Sequence, residues 1–385
     1  MTSPREQEVE GEWIMGWAGR KRPSPRQIKD AEGRLVFQLA PVADLQGPIT
    51  PTDLRYVVNQ LEIPDPVHPD DWSLAIGGEV EQPLRLTLAE LEQFPGRTVR
   101  VVTECAGSDE RFDDYVKSGG EKPDRFDLNT PGAGIVSSGE FTGVPLALVL
   151  EKAGLRPEAV SVRAEGFDQG KPSEWAIGGA WDVPERINFD KCLPLEKALD
   201  PDTILAWAMN GEYLRHIHGA PVRLVVPGWS GNWSVKWLQE LDVLDHMAPC
   251  FYQTQYFYLA DSADDPNKEM ITAMGVRSVI TEPRDGQSLG RGSHLVRGLA
   301  WSGVGAITKV EVSVNGGPWQ EAHLEEPREK WLWVRWSYLV SAEEPGSYSI
   351  RARASDEAGR TQPQMRWNFM HKMFDGIVAV DFVVE

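Results

Sequence analysis

The sequence predicts an α+β fold in which a mixed α/β domain precedes an all-β immunoglobulin-like sandwich. Two observations support it. Between residues 53 and 250, β-branched apolar runs alternate with short helical patterns. After an acidic linker at 260–268, about seven short alternating strands follow, separated by turn signals. We therefore expect an extended lead-in at 1–50, a first domain at 51–262 and the sandwich at 263–385.

The composition limits the kinds of partner and compartment. The chain has 385 residues and a formal net charge of −19, so nucleic acid and anionic membranes, which need clustered Lys and Arg, are not expected. The N-terminus lacks an apolar run of signal-peptide length, and no stretch approaches the ~18 apolar residues of a membrane span. Three cysteines cannot form a disulfide framework. These features predict a cytoplasmic protein.

The lead-in and the start of the first domain have different patterns. Scattered Pro, Gly and charge predict a lead-in that runs over the surface. LRYVVNQLEIP (54–64) is rich in β-formers and ends at a proline. WSLAIGGEV (72–80) predicts a strand and a turn, and LTLAELEQF (86–94) predicts a short helix with Thr87 as its cap.

The next stretch, VVTEC (101–105), predicts a buried strand that delivers one thiol to the small residues Ala106 and Gly107. On this stretch alone, a buried cysteine that packs as a small hydrophobe is the simpler explanation. The polar segment from Asp109 to Pro131 is expected to be a functional loop, because long irregular segments in compact domains usually serve binding or catalysis.

Later patterns complete both domains. They predict a turn and helix at 141–155, a strand ending in an acidic loop at 159–168, a helix-turn-strand unit at 193–211, and two strands around a Gly- and Trp-rich loop at 220–244. Beyond the linker, Asn315-Gly316-Gly317 is a hairpin signal between alternating strands. A sandwich of this kind usually serves as a structural part or an oligomer interface.

Several segments resemble one known family, in the same order and over most of the chain. They are RYVVNQLEIP (55–64), TECAGS (103–108), FTGVPL (141–146), EGFD (165–168), LPLEKALDPDTILAWAMNG (193–211), HGAPVRLVVPGWSGNWSVKWL (218–238), VRGLAWSG (296–303) and QPQMRWN (362–368). Together they resemble the sulfite oxidase family of molybdenum enzymes. The resemblance implies a sulfite-oxidase-type molybdopterin domain at 51–262 and a dimerisation domain at 263–385.

The resemblance implies a molybdenum-molybdopterin cofactor, in which a pyranopterin dithiolene holds the metal. It identifies Cys105 as the single protein thiolate on the metal, and a soft, deprotonated thiolate suits such a metal. Cys192 and Cys250 match no ligand position. Seven residues fall on cofactor-contacting positions of the family: Tyr56, Asn59, Asp168, His218, Arg223, Ser234 and Lys236.

Two of these residues have a sequence context of their own. Arg223 and Lys236 stand inside otherwise apolar strands, which favours a buried anionic partner over a surface ion pair.

The predicted substrate pocket departs from the family. Val58 and Gln60 stand where the family has an arginine and a histidine, Met370 replaces another arginine, and carboxylates at 109–110 stand where arginines often follow the C-A-G motif. Burying a divalent oxyanion without paired cations costs several kcal/mol. We therefore expect a small neutral or cationic substrate, unless Arg111 turns inward.

The resemblance implies an oxidoreductase that performs two-electron oxygen-atom transfer or oxidation, with Tyr256 and Asp109 facing the substrate. The strict register of the family's tyrosine falls on Phe257, Tyr258 is a further candidate, and hydrophobic packing explains these aromatic residues equally well. The alternatives are a non-catalytic pterin-binding scaffold and a sulfite dehydrogenase with a rearranged anion pocket.

The sequence also predicts partners. The chain contains no haem-binding motif, so electrons are expected to pass to or from a separate redox partner. The family implies a homodimer formed through the C-terminal domain. Trp229 and Trp233 either roof the pocket or pack as structural residues.

Overall fold

The computed structural model describes residues 27–45, 47–108, 134–172, 183–262, 264–363 and 368–385. Within these ranges a mixed domain with few helices precedes a β-sandwich, as the sequence predicts. The loop predicted from Asp109 to Pro131, which includes Glu110 and Arg111, lies outside the described residues.

Within its described residues, the first part of the chain forms fourteen strands and three short α-helices. The strands are β1 (Gln27–Lys29), β2 (Leu35–Gln38), β3 (Ser73–Gly78), β4 (Leu84–Thr87), β5 (Arg97–Glu104), β6 (Val136–Pro145), β7 (Ser161–Gly170), β8 (Ile187–Pro194), β9 (Ile204–Met209), β10 (Glu212–Tyr213), β11 (Arg223–Val225), β12 (Leu238–Leu244), β13 (Tyr258–Leu259) and β14 (Glu269–Met270). The helices are α1 (Leu88–Leu91), α2 (Leu146–Ala153) and α3 (Leu195–Ala198).

Two five-stranded sheets build the first domain. One has the order β4-β3-β12-β7-β8, and its central pair β3 and β12 is parallel while the other pairs are antiparallel. The other sheet has the order β10-β9-β6-β5, with β11 also paired to β9, and is antiparallel throughout. Strand β5 therefore lies at the edge of the second sheet and ends just before Cys105.

Most sequence-predicted elements of this domain are confirmed. Strand β3 and helix α1 occur as expected, and Thr87 caps α1 through a capping box with Glu90, whose carboxylate accepts from the Thr87 amide at 2.8 Å. The helix-turn-strand unit appears as α3 and β9, and the two strands around the Gly- and Trp-rich loop appear as β11 and β12.

Three local predictions are wrong. The β-rich segment 54–64 follows a 3₁₀ helix at Thr52–Leu54 and makes isolated bridges at Val57 and Glu62 instead of a strand. The turn expected at 141–145 is part of strand β6, because Gly143 serves close strand packing; a Cβ there would lie 2.0 Å from the Leu205 carbonyl oxygen. Strand β7 also continues through the expected acidic loop to Gly170.

The described part of the lead-in does not lie entirely on the surface, contrary to the prediction. Strands β1 and β2 pair as a small antiparallel sheet. The residues that follow, from Leu39 to Leu45, are almost all buried, and Ala40 and Val42 belong to the core of the C-terminal sandwich. Scattered prolines and charges in the sequence hid this short apolar segment.

The C-terminal sandwich consists of a four-stranded and a five-stranded sheet. Its strands are β15 (Arg277–Glu282), β16 (Gln287–Leu289), β17 (Gly292–Trp301), β18 (Ile307–Val314), β19 (Gln320–Glu321), β20 (His323–Leu324), β21 (Val334–Ala342), β22 (Gly346–Asp356) and β23 (Ala379–Val384). The sheet orders are β15-β17-β21-β20 and β16-β23-β22-β18-β19. The predicted turn at Asn315 and Gly316 has positive φ angles of 51° and 71° at these residues, as a hairpin of this type requires.

The core between these sheets is aromatic: Trp301, Trp333 and Trp336 are fully buried there. Within the described ranges, none of the helices combines the length and the apolar character needed to cross a bilayer.

Candidate active site

One cavity lies where several loops meet the ends of the strands of the first domain. Its empty volume is about 690 Å³. Segment 55–60, the end of β7 and the 3₁₀ helices His216–His218 and Gly231–Trp233 form much of its wall. The lining residues are Arg55, Tyr56, Val57, Val58, Asn59, Gln60, Cys105, Asp168, Phe189, Ile217, His218, Arg223, Gly231, Asn232, Ser234, Lys236 and Phe257.

Strand β5 delivers Cys105 to this cavity. The second half of the strand is buried, so its end lies inside the molecule. The Cys105 amide donates to the Ile135 carbonyl at 2.9 Å, and the Ser108 amide donates to the Cys105 carbonyl at 2.9 Å, which closes a tight turn. Cys105 is 8% exposed and therefore lines the cavity on backbone that is hydrogen-bonded on both sides.

Three cations face the same cavity: the buried Arg55 and Arg223 and the half-buried Lys236. Arg223 donates to the carbonyls of His218 and Ser234, both at 2.9 Å, and Lys236 donates to the Asn59 side-chain oxygen. Within the described part of the chain, none of the three cations lies within ion-pair distance of a carboxylate. The described lining residues thus carry three cationic side chains and one carboxylate, Asp168.

Burial penalises these charges. It lowers the pKa of Arg55 to about 10, that of Arg223 to about 9 and that of Lys236 to about 7. Repulsion from Arg55 adds to the shift of Arg223, and repulsion from Arg223 adds to that of Lys236. A bound anion would relieve both penalties, so the site is built for an anionic group.

Asp168 is the carboxylate of the cavity wall, at the end of β7. Its Oδ1 is buried and has no hydrogen-bond partner among the described residues. Burial raises the pKa of Asp168 to about 7, and the positive charge of Lys236 opposes the shift. A buried acceptor without a donor costs free energy, so Oδ1 is free to accept a hydrogen bond from a ligand.

His218 presents a neutral ring to the cavity. Its Nε2 lies 3.1 Å from the Thr52 carbonyl oxygen, which can only accept, so Nε2 carries the hydrogen. Burial, with the nearby charge of Arg55, holds the pKa of His218 well below its ordinary value. The Nδ1 atom is therefore left as an acceptor.

Tyr56 and Ser234 complete the predicted set. Burial, together with the nearby Cys105, raises the pKa of Tyr56 to about 12, so its phenol stays protonated. Gly231 lies against this phenol, since a Cβ at Gly231 would lie 2.4 Å from the hydroxyl oxygen. The Ser234 hydroxyl accepts from the Val226 amide at 3.2 Å. All seven predicted cofactor contacts and Cys105 thus surround one cavity.

The predicted substrate residues have different places. Val58 and Gln60 line the cavity, as does Phe257, whereas Tyr256 is not among the lining residues. Tyr256 belongs to a π-helical turn, Tyr252–Tyr256, and its ring lies 4.9 Å from the Lys372 ammonium. Phe257, directly after this turn, is the residue on which the strict family register falls. Asp109 lies outside the described residues.

The Trp-rich loop is a packing feature. Trp233 is fully buried and donates its Nε1 hydrogen to the Ile271 carbonyl at 2.8 Å, and the Trp229 ring lies 4.6 Å from it. Neither lines the cavity. These tryptophans therefore pack as structural residues and do not roof the pocket.

Arg55 is a cavity residue that the sequence reasoning missed. It is 3% exposed and donates to the Ser138 carbonyl at 3.2 Å and to the Thr103 hydroxyl. The signal was present, because Arg55 stands next to an apolar run in the same way as Arg223.

Comparisons with known proteins identify the family of the chain. Residues 60–252 match the model of the oxidoreductase molybdopterin binding domain, and residues 268–377 match that of the Mo-co oxidoreductase dimerisation domain. The sulfane dehydrogenase SoxCD of Paracoccus pantotrophus has a similar structure, with a TM-score of 0.78 and 28% sequence identity over 98% of this chain and 92% of that chain.

Curated relatives give the same result. Mitochondrial sulfite oxidase of Rattus norvegicus is 33% identical over 82% of this chain and 57% of its own length. Inducible NADH nitrate reductase 1 of Glycine max is 31% identical over 97% of this chain and 43% of its own length. The chain thus spans about half the length of these relatives. With both domain models matched along its length, the chain belongs to the sulfite oxidase family of molybdopterin oxidoreductases.

Proposed function

We propose that the chain is a molybdenum-pterin-dependent oxidoreductase that carries out a two-electron oxygen-atom transfer or oxidation. One observation supports it above all: the buried Cys105 thiol lines the same cavity as three cationic side chains, Arg55, Arg223 and Lys236, none of which forms an ion pair within the described residues. A thiolate suits the metal and the cations suit the phosphate of the cofactor, so the two halves of the site match the two ends of one molecule.

The residues present fit this cofactor. Arg223, Arg55 and Lys236 would bind its phosphate. The Asp168 Oδ1 atom would accept a hydrogen bond from a pterin N–H, and the His218 Nδ1 atom would accept another. Tyr56, Asn59 and Ser234 add neutral hydrogen-bonding groups to the same wall.

Cys105 would be the protein ligand of the metal. The bound cofactor supplies the two-electron redox chemistry, whereas the chain supplies the thiolate, the charge that holds the cofactor and the walls that exclude water. The narrow turn after β5, with Ala106 and Gly107, keeps side-chain bulk away from the sulfur.

The substrate that fits best is small and neutral or cationic. Val58 and Gln60 line the cavity where family members place charged or ionisable side chains, and Phe257 adds an apolar wall. An oxyanion in this part of the cavity would lack a direct cationic partner among the described lining residues other than those assigned to the cofactor. Of the two substrate contacts predicted from the sequence, Asp109 lies outside the described residues, and Phe257 rather than Tyr256 lines the cavity.

Metal and pterin analysis tests this function, followed by a substrate panel. Protein made in a molybdate-replete host should contain one molybdenum and one pterin per chain. It should oxidise an aldehyde with an artificial electron acceptor, or reduce a sulfoxide or N-oxide with an artificial electron donor, in preference to oxidising sulfite or reducing nitrate. A compound with sulfane sulfur belongs in the panel because the solved relative is a sulfane dehydrogenase. Metal-free protein from such a host would refute the proposal, and metal-loaded protein without any turnover would favour the scaffold.

A second candidate is a sulfite dehydrogenase with a rearranged anion pocket, and Lys191 favours it. Its ammonium group is buried without a hydrogen-bond partner among the described residues, 4.8 Å from the Phe257 ring and 5.9 Å from the Phe189 ring. Both rings line the cavity, so the Lys191 ammonium lies behind the part of the cavity wall that Phe189 and Phe257 form. If it attracts an anionic substrate, Lys191→Met will lower kcat/KM for sulfite about tenfold or more and leave neutral substrates unaffected.

We also propose that the molecule is a homodimer formed through the C-terminal domain and that a separate redox partner exchanges electrons with it. The domain match supports the dimer. On the four-stranded sheet, Leu295 and Leu339 lie opposite each other on neighbouring strands and are 41% and 62% exposed. An exposed cross-strand apolar pair of this kind is typical of an interface.

A further inference from the structure

The C-terminal sandwich contacts the residue before Cys105. Glu104 is buried, and its Oε1 atom forms an ion pair with Arg277 of strand β15. Its Oε2 atom accepts a hydrogen bond from the Trp301 indole at 2.8 Å. Both oxygens of this first-domain carboxylate are thus bound by side chains of the other domain.

The same domain contacts the turn after Cys105 at two further points. The Arg277 Nη1 atom, which binds Glu104, also donates to the Ser108 hydroxyl at 3.2 Å. The Met373 amide donates to the Ala106 carbonyl at 2.7 Å. Residues on both sides of the cysteine are therefore held from the sandwich, in addition to the hydrogen bonds within the turn.

The segment that carries Met373 is itself constrained. Met373 and His371 have φ angles of 53° and 51°, a left-handed conformation that is uncommon for a bulky residue such as methionine. The Asn368 side chain holds the segment, because it donates to the Lys372 carbonyl at 2.7 Å and accepts from the Lys372 amide at 3.2 Å. Such strain persists only where the surroundings enforce it.

Burial distinguishes the Arg277–Glu104 pair from the other ion pairs of the sandwich. The side chains of Arg277 and Glu104 are 4% and 7% exposed, whereas those of Arg297 on β17 and Glu282 on β15 are 39% and 34% exposed. Removing two charges from water offsets most of their attraction, so a buried pair is poor evidence for a contribution to stability alone. Its place next to a candidate metal ligand offers another explanation.

We propose, on the basis of the function proposed above, that Arg277 is a positioning residue that fixes the Cys105 thiol for the metal. It does so by joining Glu104 and Ser108 across the turn. The C-terminal domain is then part of the metal site as well as a dimerisation module, and loosening Arg277 frees the thiol.

Thiol reactivity tests the proposal without relying on the metal. Full-length protein from a molybdate-free host is treated with iodoacetamide, and peptide mass mapping gives the alkylation rate of Cys105 relative to Cys192, which is fully buried elsewhere. The expected result is that Arg277→Met raises this ratio about tenfold or more, since loss of one buried partner frees the turn. Arg277→Lys, which keeps the charge, should largely restore the parent ratio.

The matched control is Arg297→Met, which removes the exposed ion pair with Glu282 and should leave the ratio unchanged. Ser108→Ala covers the case in which Arg277→Met does not fold; it removes one contact and should raise the ratio by about threefold. An unchanged ratio in a folded Arg277→Met variant or in Ser108→Ala, or equal acceleration at Cys105 and Cys192, would overturn the proposal.

A second readout uses the metal-loaded protein. The thiolate-to-metal charge-transfer band should shift in Arg277→Met and return in Arg277→Lys, and an unshifted band in the former variant would contradict the positioning role. If the parent chain contains no molybdenum, the function proposed above fails, whereas the alkylation ratio still decides whether Arg277 holds the turn.

Discussion

The positive charge on Lys236 is expected to lower the stability of the cofactor-free protein and to strengthen binding of the cofactor. Burial lowers its pKa to about 7 and repulsion from Arg223 adds to the shift, while the Asp168 carboxylate only partly opposes it, so the ammonium destabilises the empty cavity. Lys236→Met should therefore raise the melting temperature of cofactor-free protein by about 2–4 °C. The same change should lower the pterin retained after gel filtration about tenfold, because a phosphate partner is lost. Thermal unfolding and pterin fluorescence measure the two effects.

A matched control is Lys309→Met, which removes an exposed lysine of the sandwich that pairs with Glu311. It should change neither the melting temperature of the cofactor-free protein nor the amount of pterin retained after gel filtration. A Lys236→Met protein that retains its pterin would contradict the anionic site.

Lys191 predicts a pH dependence of stability. Burial, opposed by Cys250 and Asp190, lowers its pKa from 10.5 to about 7. Between these values the unfolded chain holds a proton on Lys191 that the folded chain lacks, so raising the pH stabilises the folded state. Lys191→Met removes this effect. The variant should be more stable than the parent at about pH 7.5, and the advantage should shrink towards about pH 9.5 by at most about 1.4 kcal/mol per pH unit.

Urea unfolding of the cofactor-free proteins at both pH values measures the difference. A constant difference across the window would show that Lys191 does not titrate there and that its ammonium has a compensating partner.

At the residue scale, the seven residues predicted to contact the cofactor all line the cavity, whereas the residues predicted to contact the substrate were harder to identify. Arg223 and Lys236 could be found because a charge within an apolar strand needs a reason. Tyr256 was favoured because a tyrosine can donate a hydrogen bond, although the strict register fell on Phe257, and Phe257 is the residue that lines the cavity. Arg55 was missed although its context resembles that of Arg223.

At the element scale, the π-helical turn Tyr252–Tyr256 yields a prediction for the aromatic wall. Phe257 lines the cavity and Tyr256 does not, so Tyr256→Phe should leave kcat/KM within about threefold, whereas Phe257→Ala should lower it about tenfold or more. Steady-state kinetics with the best substrate of the panel compares the two variants. A large loss in Tyr256→Phe alone would restore the tyrosine as a proton donor to the substrate.

The elements divide into those set by local pattern and those set by tertiary contacts. Helix α1 and the Asn315-Gly316 turn follow from local chemistry, a capping box and residues that tolerate positive φ. Segment 54–64 looks like a strand but lines the cavity in irregular form, because its polar backbone and side chains serve the site. Gly143 looked like a turn residue because the sequence does not show the close strand packing that requires it.

At the scale of the whole molecule, the exposed apolar pair on the four-stranded sheet predicts the dimer interface. Leu339→Glu should convert a dimer into a monomer, since a carboxylate buried in an interface without a partner costs several kcal/mol. Light scattering at micromolar concentration measures the mass.

The control is Val160→Glu, an exposed apolar position of the first domain, which should leave the dimer intact. A parent protein with the mass of one chain would contradict the dimer, and a dimeric Leu339→Glu protein would place the interface on another surface.

The two domains share more structure than their sequence patterns suggested. Residues of the lead-in enter the sandwich core, and the sandwich holds Glu104, Ala106 and Ser108 around the cysteine. Periodicity describes each strand by itself and contains no information on which distant strand it meets. The domain order was therefore predictable from the sequence, whereas the support of the metal site by the second domain was not.

X-ray absorption at the molybdenum edge tests the central claim most directly, which is that Cys105 binds the metal of a pterin cofactor held in this cavity. The parent protein should show the sulfur ligands of the dithiolene and one more from the thiolate, and Cys105→Ser should show one sulfur fewer. An identical sulfur count in parent and variant, or a parent without molybdenum, would contradict the claim.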